Sequence, residues 1–148
     1  MEAIAELVTA QLKEQFNMGY VYTEQHDYDH AKECFENVLM VCNLTKYEDG
    51  KKMAYISLAN LYVLKKDPVM SFKMSVLAYR GNANQNIDSR AKGIIAKTLG
   101  AAMNYGIDSQ KKGKYHEALE IYKLAVPFLK GAKKEAVESE IKKLEKQK

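Results

Sequence analysis

The sequence contains few of the residues that interrupt helices or mark common active sites. Its 148 residues include two prolines, two cysteines and three histidines, and there is no tryptophan. No window reaches the roughly 18 apolar residues of a membrane-spanning helix, and H-E-x-x-H, a glycine-rich phosphate loop and G-x-S-x-G are all missing. Together with abundant Ala, Leu, Lys and Glu, this composition predicts an all-α protein that is not an enzyme, uses no cofactor and enters no membrane.

The N-terminus and the cysteines indicate the compartment. Residues 1–6 lack the basic region and the apolar run of a signal peptide. Cys34 and Cys42 fall on one predicted helix about 12 Å apart along its axis, too far to bridge. Free thiols agree with a reducing compartment, so we expect a cytoplasmic protein. His26, His30 and Cys34 recur every four residues, but His26 falls in a predicted turn and zinc needs three or four convergent ligands, so no metal site is predicted.

The positive charge is concentrated at the C-terminal end. The net charge is +4, yet residues 1–110 hold 12 Lys/Arg against 13 Asp/Glu, whereas residues 111–148 hold 11 Lys against 6 Glu. Such an end is typical of a solvated helix face, with a nucleic-acid or acidic-lipid patch as the alternative. The last predicted helix has no aromatic residue for base stacking, which disfavours nucleic acid.

Apolar residues at three- and four-residue spacing predict seven helices. They cover about 3–24, 28–42, 52–65, 68–80, 88–111, 115–126 and 132–145. Asp27 and Asp67 are placed to cap the second and fourth helices, and Pro127 should end the sixth. Residues 43–50, with the turn signal Asp49-Gly50, and residues 81–86 are predicted loops.

Two stretches carry the same spaced residues. They are Gly19-x2-Tyr22-x5-Tyr28-x2-Ala31-x3-Phe35-x2-Val38 and Gly106-x2-Ser109-x5-Tyr115-x2-Ala118-x3-Tyr122-x2-Ala125. This pattern resembles the tetratricopeptide (TPR) family, in which a small residue on each of two antiparallel helices lets their backbones approach. The resemblance implies a right-handed α-solenoid of about three helical hairpins in a single domain, 1–148. The repeats would cover about 3–42, 52–80 and 88–131, with a capping helix at 132–147.

The middle repeat matches less closely. Ala59 stands where Gly19 does, Tyr62 matches Tyr22, and Ser71, Ser75 and Ala78 match Ala31, Phe35 and Val38. The small residues Gly19, Ala59 and Gly106 give spacings of 40 and 47 residues, longer than the family's roughly 34.

In this family the first helix of each repeat lines a concave groove that binds peptides. The resemblance implies that the groove includes Phe16, Tyr20, Met53, Ile56, Asn60, Met103 and Ile107. An Asn60 amide can pair with both the N–H and the C=O of a peptide backbone, although an ordinary surface role also explains it. The expected function is a peptide-binding or protein-binding adaptor. The alternatives are a peptide-sensing domain of a bacterial regulator and a nucleic-acid-associated subunit. The sequence leaves open which partner is bound and whether the protein forms a homo-oligomer.

Overall fold

The described residues form helices almost throughout. A computed structural model describes residues 2–79 and 85–146. The helices are α1 (Glu2–Glu24), α2 (Tyr28–Thr45), α3 (Glu48–Leu64), α4 (Pro68–Ala78), α5 (Gln85–Lys111), α6 (Tyr115–Ala125) and α7 (Gly131–Glu145). Consecutive helices pack on one another, α1 on α2, α2 on α3, α3 on α4 and α6 on α7. The prediction of an all-α helical-repeat fold is therefore confirmed.

Contacts divide the chain into two compact units. Unit 1 covers residues 1–95 and unit 2 covers residues 96–148, so α5 begins in the first and ends in the second. That the two units form one domain stays a prediction.

The turn inside each helical hairpin has the same geometry in all three repeats. One residue takes a left-handed conformation, with φ of 61° at His26, 61° at Lys66 and 78° at Gly113. The next N–H then donates back to a carbonyl of the first helix, Asp27 to Tyr22 at 2.9 Å, Asp67 to Tyr62 at 2.8 Å and Lys114 to Ser109 at 2.8 Å. Asp27 and Asp67 also accept the N–H groups of His30 and Met70, which confirms both predicted caps.

The prediction of a loop at residues 43–50 is wrong. Helix α2 continues to Thr45 and α3 already begins at Glu48. Lys46 adopts a left-handed conformation with φ of 58°, and the N–H of Tyr47 donates to the Cys42 carbonyl at 2.9 Å, so the chain reverses in very few residues. Gly50 serves packing and not a turn, because a Cβ there would lie 2.7 Å from the Cys42 Sγ atom.

The second predicted loop, at residues 81–86, extends too far at its C-terminal end. Residues 81–84 lie outside the described residues, while Gln85 and Asn86 already belong to α5. The helix therefore begins three residues before the predicted start at 88.

Unit 1 is held together where small residues bring helices close. A Cβ on Gly19 would lie 2.5 Å from Cε1 of Phe35, and Ala31 is completely buried. In the second hairpin the Ser71 hydroxyl donates to the Ala59 carbonyl at 2.8 Å, which links α4 directly to the α3 backbone. The positions matched by sequence thus lie at close helix contacts, including those of the weaker middle repeat.

Unit 2 repeats this arrangement and adds a polar connection to α7. A Cβ on Gly106 would lie 2.6 Å from Cε1 of Tyr122. The Tyr122 hydroxyl donates to Gln110 at 2.9 Å, and the Gln110 amide donates to Glu140 on α7 at 2.9 Å. Helix α6 ends at Ala125, directly before a 3₁₀ turn (Val126–Phe128) that contains Pro127, as predicted.

Candidate binding surface

The first helices of the first two repeats meet on the predicted groove face. The Tyr20 hydroxyl, on α1, is hydrogen-bonded to the Ser57 hydroxyl, on α3, at 3.0 Å. The Phe16 ring stacks on Tyr20 with centroids 6.4 Å apart, and both rings contact the buried Phe35 ring, at 6.3 Å and 5.5 Å. Tyr20 is 45% exposed but fixed at its ring and at its hydroxyl. It therefore presents a rigid aromatic surface, which costs little side-chain entropy on binding.

A cleft of about 380 Å³ opens beside this aromatic pair in unit 1. Its apolar floor comes from three helices that are the first of their repeats: Leu12 and Phe16 on α1, Gly50 and Met53 on α3, and Ile87 on α5. Its remaining lining residues are Thr9, Lys13, Tyr47, Asp49, Asn86 and Arg90. The cleft thus joins an apolar base to a rim that carries both signs of charge.

The structure brings two of the predicted site residues into this cleft, Phe16 and Met53. Asn60 is exposed on α3, one turn beyond Ser57, so it lies on the face that Tyr20 contacts. Ile56 is only 3% exposed, because it packs in a core cluster with Ala59, Ala78 and three residues of α5. Ile56 therefore supports the surface from below and offers little area to a ligand.

Met103 and Ile107 belong to a different cleft, in unit 2. This cleft measures about 530 Å³ and lies between α5 and α7, with Leu129, Lys133, Ala136 and Val137 on its other side. Met103 is partly buried and Ile107 is 43% exposed. On α7, Val137 and Leu144 are buried, whereas Ala136 is exposed.

Sequence reasoning missed several residues of the unit 1 cleft. Leu12 was recognised as an apolar helix residue, but its place beside α3 depends on packing. Gly50 belongs to a predicted turn. Ile87 falls between the predicted loop, which ends at residue 86, and the predicted helix, which begins at about residue 88. The stripe Ile87, Ala91 and Ile94 at helical spacing was the available signal that α5 begins earlier.

The two histidines of the His26, His30 and Cys34 series have partners within the chain. The His30 Nδ1 atom lies 2.6 Å from Asp27, and the His26 Nδ1 atom lies 2.9 Å from the Tyr28 hydroxyl. No three His, Cys, Asp or Glu side chains are grouped as a metal ion requires anywhere in residues 2–79 and 85–146. Cys34 and Cys42 are free and buried, and burial raises the pKa of both thiols.

Among the helices of the described segments, none has the length and apolar character needed to cross a bilayer.

Comparison with known families agrees with this architecture. A family model described as tetratricopeptide repeat matches residues 15–42, which cover the C-terminal part of α1 and most of α2. The match supports a tetratricopeptide repeat at residues 15–42, and it confirms the resemblance found there in the sequence. This repeat is typically a non-catalytic scaffold with a general role in protein interaction. Searches of curated proteins and of solved structures found no match to the chain.

Proposed function

We propose that this protein is an adaptor that binds an extended peptide segment of a partner protein on the groove face of unit 1. The observation that supports this most directly is the cleft shared by α1, α3 and α5, with its apolar floor and charged rim. An apolar side chain of the peptide would enter beside Phe16 and Met53. The family's general role in protein interaction is consistent with this proposal.

Peptide orientation would come from the polar groups on the same face. The Asn60 side chain is exposed, and its amide can donate to and accept from one peptide unit. Lys13 on α1 and Arg90 on α5 both line the cleft and are exposed, so they can contact peptide carbonyls or carboxylates. In this proposal the apolar cleft supplies affinity and Asn60 fixes the direction of the chain.

The test uses linear peptides selected from a displayed random library against the full chain. Affinities of the selected peptides are then measured for the wild type, Asn60→Ala and Asn43→Ala. Asn43 is a matched control, because it is also an exposed helical asparagine, on α2. Loss of a hydrogen-bonding partner costs about 1–3 kcal/mol, so Asn60→Ala should bind roughly ten- to a hundred-fold more weakly and Asn43→Ala as the wild type.

The proposal fails if selected peptides bind all three proteins equally. A second variant, Met53→Glu, tests the cleft itself, because a carboxylate in the apolar floor would oppose an entering apolar side chain. Thermal melts of every variant separate lost binding from lost folding.

A further inference from the structure

Helix α1 exposes an apolar stripe on its outer face. Leu7 is 64% exposed, Met18 38% and Val21 52%, and Ala10 is exposed beside them. These positions lie on one side of the helix, with the exposed Glu14 in the middle. The shallow depression around Glu14 is lined by seven residues of α1 and by Gln25, which follows the helix: Ala10, Lys13, Glu14, Asn17, Met18, Val21, Tyr22 and Gln25. An exposed apolar stripe of this kind marks an interaction surface.

This stripe lies in the acidic part of the chain. Residues 1–45 hold eight Asp/Glu and two Lys/Arg, and α1 alone holds four Glu and one Lys. Neither a salt bridge nor a hydrogen bond joins the Glu14 carboxylate to another side chain among the described residues. The stripe is therefore apolar, and the carboxylate at its centre can pair with a cation of another molecule. The surrounding part of the chain has a net negative charge.

The α5–α7 cleft of unit 2 has the complementary character. Ten residues line it, of which only Lys133 is ionisable: Ala96, Leu99, Gly100, Met103, Asn104, Ile107, Leu129, Lys133, Ala136 and Val137. Residues 96–148, which form unit 2, hold twelve Lys against seven Asp/Glu. The cleft is thus an apolar groove between two helices in a basic unit, a shape that suits an amphipathic helix.

Gly100 lies on the α5 side of this cleft. A glycine inside a helix costs about 1 kcal/mol relative to alanine. Gly100 has no packing reason within the described fold, because a Cβ built there would meet no atom within 4 Å. Its absent side chain keeps the α5 side of the cleft open, so that a ligand can approach the backbone closely.

We propose that the stripe of α1 in one copy of this protein docks in the α5–α7 cleft of a second copy. The lengths match, since Leu7 to Val21 spans about 21 Å of helix and Ala96 to Ile107 about 17 Å. Glu14, at the centre of the stripe, pairs with Lys133 of the second copy. The two surfaces differ, so the contact is head-to-tail and extends into chains or rings.

A two-fold contact between two α1 helices fits the charges less well. It would bring the acidic first repeat of one copy against that of the other and would place the two Glu14 residues near each other. Like charges across an interface are unfavourable. The head-to-tail contact instead joins the acidic first repeat to the basic unit 2. The depression on α1 shares Lys13 with the unit 1 cleft. None of the residues changed in the experiments below lines that cleft, so peptide binding and self-association can be tested independently.

The first experiment follows the mass of the full chain by analytical ultracentrifugation over a range of protein and salt concentrations. The wild type should associate as its concentration rises, and added salt should weaken the association. Glu14→Lys and Lys133→Glu should each weaken it roughly tenfold or more, and a chain that carries both changes should recover. A wild type that stays monomeric at every concentration, or a double variant as weak as the single ones, would overturn the proposal.

The second experiment mixes two variants that are each defective on one surface. Val21→Glu damages only the stripe and Gly100→Leu fills only the cleft, so each alone should be monomeric. A mixture should form a 1:1 dimer that grows no further, because one intact stripe meets one intact cleft. Gly93→Leu is the control for Gly100→Leu: it changes a glycine of the same helix that also has open space but lies outside the cleft, and it should associate normally.

Two results of the mixing experiment contradict a head-to-tail contact. One is a mixture that remains monomeric although both variants are folded by circular dichroism. The other is normal association of Gly100→Leu with loss only in Val21→Glu, which would mean that α1 pairs with its own copy.

Discussion

Replacing helical glycines by alanine distinguishes two contributions to stability: the cost of crowding a close helix contact and the gain in helix propensity. Every such replacement raises the free energy of unfolding by about 1 kcal/mol through the better helix propensity of alanine. At Gly19 the new Cβ would lie 2.5 Å from Cε1 of Phe35, whereas carbon atoms in contact are about 3.5–4.0 Å apart. Phe35 is 1% exposed and is held by the rings of Phe16 and Tyr20, so it has little freedom to move away.

Overpacking of this kind costs about 1–3 kcal/mol, which equals or exceeds the propensity gain. Gly19→Ala should therefore lower the free energy of unfolding by up to about 2 kcal/mol. Gly93→Ala should raise it by about 1 kcal/mol, because a Cβ at Gly93 meets no atom within 4 Å. Both residues belong to unit 1, so they report on the same packing unit.

The assay is urea denaturation followed by far-ultraviolet circular dichroism, with thermal melts as a check. The two variants should differ by about 1–3 kcal/mol, or roughly 2–10 °C in Tm for a chain of this size. Gly106→Ala should behave as Gly19→Ala, because its Cβ would lie 2.6 Å from Tyr122. Equal shifts for Gly19→Ala and Gly93→Ala would refute the close contact at Gly19.

Three further predictions concern a turn, the thiols and the acid response. Lys66→Gly should stabilise the protein by up to about 1 kcal/mol in the same urea assay, because glycine tolerates the left-handed conformation that Lys66 adopts; a loss of stability would contradict that conformation. Cys34 and Cys42 should react with a thiol reagent far more slowly in the native protein than in urea, since burial raises the pKa of both thiols; equal rates would show that the thiols are accessible. The hydrogen bond from Gln110 lowers the pKa of Glu140 below its ordinary value of 4.5, so its stabilisation is complete above that pH and is lost as pH falls through the lowered pKa. Glu140→Gln should accordingly be less stable than the wild type at neutral pH, with a difference that shrinks on acidification; a constant difference would mean that ionisation of Glu140 is not involved.

Local sequence signals predicted most of the helices and several of their close contacts. The caps Asp27 and Asp67 act on neighbours in the chain, so they can be anticipated from spacing alone. Gly19 and Ala31 were also identified from the repeat pattern, because a contact between two backbones accepts only small residues. These features are set within one helical hairpin.

What the sequence missed depends on contacts between hairpins. The start of α3 at Glu48 follows from the reversal at Lys46 and from the packing of Gly50 on Cys42, and the dipeptide Asp49-Gly50 alone favoured a turn.

The candidate sites show the same division. The family resemblance implied that Ile56, Met103 and Ile107 share one groove face. Tertiary packing instead buries Ile56 and places the other two beside α7 in unit 2. The sequence by itself thus determined the helices and the small residues at which they touch, since both depend on local spacing. Only the tertiary structure decided which apolar residues become core and which, as on α1, stay exposed, because that depends on whether another helix covers them.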